Sequence, residues 1–137
     1  MKDRIRYAAD AIGILKDIEL HLSALKDTLH GDSEFFKRFY STSSIGILGL
    51  QSKKLSLMDV PKDMTEEHEL LKKIVNKSFN LSGIFSLRDD KLIGEFDEMF
   101  DAVMSDIKCL KDKLFLEFYS HDEDWLNMPA IGLEITD

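Results

Sequence analysis

Residues 93–114 read IGEFDEMFDAVMSDIKCLKDKL, and within them Ile93, Phe96, Phe100, Val103, Ile107, Leu110 and Leu114 recur at spacings of 3, 4, 3, 4, 3 and 4. Successive side chains on an α-helix turn by ~100°, so this spacing gathers all seven on one stripe. The segment predicts a long amphipathic helix with that stripe against a core. Asp90, Asp97, Glu98 and Asp101 fall on the opposite side and predict an acidic solvent face.

Working toward the C-terminus, Leu114-Phe115-Leu116-Glu117-Phe118-Tyr119 is apolar nearly all round, which predicts cover from the tail as well as from the core. After Pro129, Ile131, Leu133 and Ile135 alternate with other residues, the period of a short strand. Its natural mate is residues 55–60, Leu-Ser-Leu-Met-Asp-Val, which show some alternation before Pro61 breaks any helix.

Toward the N-terminus a second stripe is as regular as the first: Ala8, Ala11, Leu15, Ile18, Leu22, Leu25 and Leu29. It stops at His30-Gly31, where glycine permits the left-handed conformation that ends helices, and Asp32 or Ser33 offers a cap for the next. That next segment carries Phe36, Phe39, Tyr40, Ile47 and Leu50 at helical spacing. Ser41 to Ser44, Gly46 and Gly49 weaken it. Asp63 and Glu66 fit a capping box for a third helix bearing Leu70, Leu71, Ile74, Val75 and Phe79. Asn80 to Gly83 predicts its end, with a loop at 82–90.

These readings combine into a mainly α fold, an antiparallel bundle of about four helices forming a single domain over residues 1–137. They allow a short two-stranded β element pairing 55–60 with 131–136. Composition agrees: 137 residues, 44% apolar and 32% charged, are enough to bury one core without disulfides or a structural metal. The single cysteine, Cys109, makes no internal disulfide and predicts a reducing, cytoplasmic setting. Met1 to Tyr7 has no signal-peptide apolar block, and no run reaches the roughly 18 apolar residues that span a bilayer.

Catalytic patterns are scarce. The histidines are His21, His30, His68 and His121, with no Glu-x-x-His unit of the kind that holds di-iron centres in helical bundles. Asp17 with His21 and Glu117 with His121 lie four apart, the spacing of surface ion pairs; two ligands do not make a metal site. Glu66, Glu67 and Glu69 around His68 complement a helix N-terminus. There is no Gly-x-Ser-x-Gly elbow and no phosphate-binding glycine loop, and Gly46-Ile-Leu-Gly49 lacks the rest of a dinucleotide fingerprint. The pattern predicts neither a catalytic centre nor a metal or cofactor. Cys109 falls about 145° from the centre of its helix's apolar stripe, a passive position.

Charge supplies the functional reading. The net charge is −8, the last Lys or Arg is Lys113, and every formally charged side chain beyond it is acidic. Such a surface repels nucleic acid and either serves plain solubility or draws basic proteins. Asp122-Glu123-Asp124 precede the only tryptophan, Trp125, which either packs back on the apolar end of the preceding helix around Leu116 and Tyr119 or stands as an aromatic anchor framed by acid. The expectation is a small acidic, non-catalytic module that engages a partner protein, as an immunity, antitoxin, inhibitor or adaptor protein does. The partner-binding residues would be Asp97, Glu98, Asp101, Asp122, Glu123, Asp124 and Trp125. The alternatives are a metal-dependent enzyme using His and carboxylate groups across the bundle, and a structural homo-oligomer paired through its 3,4 stripes.

Overall fold

The computed structural model describes residues 2–87 and 90–120. They form four long helices: α1 Lys2–Leu29, α2 Glu34–Ser56, α3 Thr65–Leu87 and α4 Ile93–Ser120, with short 3-10 turns at Lys62–Met64 and Asp90–Leu92. Cross-helix pairs fix the directions. Arg4 at the start of α1 bonds Glu117 at the end of α4 (Nε to Oε2, 2.9 Å), while Lys26 at the other end of α1 lies 4.0 Å from Asp101. Helix α1 therefore runs antiparallel to α4. The same logic, with Lys54 3.6 Å from Asp17 and Ser44 2.8 Å from His21, sets α2 antiparallel to α1. Lys113–Glu67 at 3.2 Å and Lys77–Asp106 at 3.0 Å set α3 antiparallel to α4.

Both regular stripes face the core. From α1, Ala8, Ala11, Leu15, Ile18, Leu22, Leu25 and Leu29 are buried; from α4, Phe96, Phe100, Val103, Ile107, Leu110 and Leu114 join them. Helix α1 also buries Ile5, Tyr7, Ile12 and Ile14, so it is covered on more than one side and acts as the central element. Helix α3 adds Leu71, Ile74, Val75, Leu81 and Phe85.

Several sequence expectations change. Helix α3 does not end at Asn80 to Gly83 but continues to Leu87, because Leu81, Ser82 and Phe85 keep its inward face in register. The start of α3 is Thr65, after a 3-10 turn that holds Asp63; Thr65 Oγ1 donates to Lys62 O at 2.9 Å in place of the expected capping box. No strand forms at 55–60: Leu55 and Ser56 are the last residues of α2, and 58–61 run on as an irregular connector. Leu55 is buried in the core, and that contact extends the helix past the apparent alternation. The other half of the expected β pair, 131–136, lies outside the described residues.

At the α1–α2 turn the helix ends where glycine stands, for a different reason from the one expected. A Cβ on Gly31 would lie 3.3 Å from Asp27 O and 3.4 Å from Thr28 O, so the need is for close approach to the last carbonyls of α1. Ser33 then caps α2, its Oγ accepting the Phe36 N–H at 3.3 Å. Glu34 in the first turn and Lys53 and Lys54 in the last complement the helix dipole. These ends carry α2 unbroken through Gly46 and Gly49.

Helix α2 is the anomaly of the bundle. Its buried face is Ser44, Leu48, Gln51 and Leu55, half of it polar. The large apolar residues that mark it as a helix point the other way: Phe36 is 53% exposed, Phe39 56%, Leu50 52% and Ile47 36%.

Candidate functional site

The polar inner face of α2 meets partners on two helices. Ser82 Oγ of α3 donates to Ser44 Oγ at 2.5 Å, and Ser44 Oγ lies 2.8 Å from His21 Nε2 of α1. With Ser44 accepting from Ser82, its own proton goes to a neutral His21. Burial agrees, pulling the His21 pKa below the ordinary histidine value. A serine and histidine at this distance form the core of a nucleophilic site, but Ser44 has no exposed surface. In this conformation the trio pins α2 to α1 and α3.

A second buried pair ties α1 to the start of α3: Tyr7 Oη lies 2.9 Å from His68 Nδ1. Burial raises the tyrosine pKa, with Glu67 adding to it, and lowers that of His68, with Lys72 adding and Glu69 opposing. Two of the three histidines that the sequence placed beside carboxylates, His21 and His68, are thus inside; His121, four after Glu117, lies outside the described residues. Asp17, four residues before His21, turns instead to Lys54 and to Gln51 Nε2, which donates at 3.4 Å.

Outside the core, a groove of about 820 Å³ lies between the outer side of α1 and the α2–α3 connector. Its apolar lining comes from Ile14 on α1 and from Leu57, Met58, Val60 and Pro61 opposite. Four carboxylates also line it, Asp3, Asp10, Asp17 and Asp59, against two cations, Arg6 and Lys54. Lys54 is already paired with Asp17. Asp10 is exposed on this wall, and partial desolvation raises its pKa even though Arg6 acts to lower it. Nothing in the sequence singled out this groove, because its walls come from residues about 50 apart, and one wall is the connector that read as a strand.

The expected acidic site divides. Glu98 is exposed on α4. Asp97 takes a bond from His30 Nε2, with its two oxygens at 2.9 and 3.1 Å, and Asp101 sits at the edge of Lys26, whose Nζ lies 4.6 Å from the Phe100 ring centre. Two of the three α4 acids therefore serve the α1–α4 seam. Asp122, Glu123, Asp124 and Trp125 lie outside the described residues, as does the expected packing of Trp125 on the end of α4. Cys109 is exposed.

Among the described residues no group of three or more His, Cys, Asp or Glu side chains is placed to hold a metal ion, and no helix is long and apolar enough to cross a membrane. Compared with known proteins, the chain matches no family model, no curated protein and no solved structure.

Proposed function

We propose that this protein is a small, non-catalytic protein-binding module that engages, and by engaging neutralises or regulates, a basic partner, in the manner of an immunity, antitoxin, inhibitor or adaptor protein. The observation that carries this reading is the groove between α1 and the connector, with an apolar floor and a net negative rim. Apolar side chains supply most of the affinity in such a cleft, and surrounding charge selects the partner and speeds encounter. An amphipathic segment bearing Lys or Arg fits it: the aliphatic stems lie on Ile14 and Met58, and the charged heads reach Asp3, Asp10 and Asp59. The overall charge of −8 favours the same class of partner. We place the protein in a reducing cytoplasm, in keeping with its lone, exposed thiol.

The test is affinity capture from native extract at low and moderate salt, using the wild-type chain beside an Asp10→Lys/Asp59→Lys double variant that keeps its helix content. A basic protein held stoichiometrically by the wild type, released by salt and lost by the variant, supports the groove. Equal capture by both chains overturns it.

A further inference from the structure

We propose that the exposed face of α2 is a self-association surface, on which a second copy of this chain packs its own α2 antiparallel about a two-fold axis at Ser43.

This rests on an observation independent of the groove. Phe36, Phe39, Ser43, Ile47 and Leu50 stand at −7, −4, 0, +4 and +7 from Ser43, a palindromic spacing. At ~100° per residue the five fall within a strip about 80° wide, centred on Ser43 itself. An isologous interface needs this property, since each copy presents the same patch turned end for end. In the antiparallel register Phe36 faces the partner's Leu50, and Phe39 faces the partner's Ile47. Ser43 suits the crossing point. It is small, and its hydroxyl donates to Phe39 O at 3.0 Å within its own helix. Beside it, a Cβ on Gly46 would meet nothing within 4 Å, which leaves room for a close approach.

The exposed apolar area is of the right order. Phe35, Phe36 and Phe39 are 71%, 53% and 56% exposed. At ~200 Å² for a whole aromatic side chain they present roughly 350 Å². Ile47 and Leu50, exposed 36% and 52%, bring the apolar patch to roughly 500 Å², a large patch for a monomer and well over half of the ~800 Å² each partner gives a stable interface, the polar rim supplying the rest.

Sedimentation velocity on the full chain, over a range of concentrations at low and high salt, tests this. The expected result is a reversible dimer that tightens with salt, because screening relieves the repulsion between two chains of charge −8. Phe39→Asp and Leu50→Asp each touch the seam twice per dimer and are expected to weaken association by about 100-fold or more with helix content, and the melting of dilute monomer, unchanged. A wild-type chain that stays monomeric to several hundred micromolar, or a dimer indifferent to both substitutions, overturns the proposal. The Asp10→Lys/Asp59→Lys chain is expected to dimerise normally, and Phe39→Asp to retain any partner captured at the groove, so either surface can fail alone.

Discussion

His21 Nε2 and Ser44 Oγ lie 2.8 Å apart with both residues buried, so the middle of α2 is attached to the central helix through a buried hydrogen bond. A buried hydrogen bond costs little while both partners are present and much when one is removed.

Replacing Ser44 by alanine removes the acceptor for Ser82 and the donor to His21 together. The expected loss is about 1–3 kcal/mol, the desolvation cost of buried polar groups left without partners. Urea unfolding of S44A beside wild type measures it. Replacing His21 and Ser44 together should cost less than the sum of the two single changes, which a double-mutant cycle resolves.

Stability should fall in mild acid. His21 and His68 both have depressed pKa values in the folded chain, so below about 6.5 the unfolded chain binds protons that the folded chain refuses. Stability is full above that pH and declines as pH drops toward the depressed values, by at most about 1.4 kcal/mol per pH unit for each proton taken up on unfolding. Asp10, with its raised pKa, acts in the opposite sense at lower pH. Melting temperature followed from pH 7.5 to 5 should drop, and less steeply in His21→Asn.

The inward and outward phenylalanines should separate cleanly. Phe96 is fully buried and Phe35 is 71% exposed. Phe96→Ala is expected to cost about 3–5 kcal/mol, whereas Phe35→Ala should stay within about 0.5 kcal/mol when unfolding is measured on dilute monomer. A large loss at Phe35 would mean that α2 is turned the other way.

Two changes on α2 should stabilise it. A Cβ at Gly49 meets nothing within 4 Å, so Gly49→Ala is expected to gain about 0.5–1 kcal/mol from reduced backbone entropy in the unfolded chain. Gln51 Oε1 is buried with no hydrogen-bond partner among the described residues, so Gln51→Leu, of similar volume, is expected to gain about 1 kcal/mol. Thermal melts of both variants decide.

The helices that could be read directly were those whose apolar residues all serve one core. Ala8 to Leu29 and Ile93 to Leu114 each carry a single unbroken stripe, and every member of both is buried except Ile93, which is half-buried against the core. The segment at 34–56 carries two competing stripes, one rich in phenylalanine and one of Ser44, Leu48, Gln51 and Leu55. Hydrophobicity alone favours the first as the inner face, and the structure buries the second. The signal that would have chosen correctly was polar: Ser44 and Gln51 lie on one face with Leu48 and Leu55, while His21 lies on the α1 stripe side beside Leu22 and Leu25. The groove left no trace of this kind, because no local pattern joins Asp10 to Asp59.

Periodicity and charge determined by themselves that this chain is mainly helical, that α1 and α4 present continuous apolar stripes, and that its surface is strongly acidic. Each of those is a property of neighbours along the chain, where a side chain's direction follows from its number. Only the tertiary structure decided which face of α2 turns inward, that His21 and His68 are buried and neutral, and that an acid-rimmed groove opens between α1 and the connector. Those outcomes depend on which polar groups find partners on another helix, and a buried hydroxyl or imidazole gains its partner only when helices distant in sequence come together.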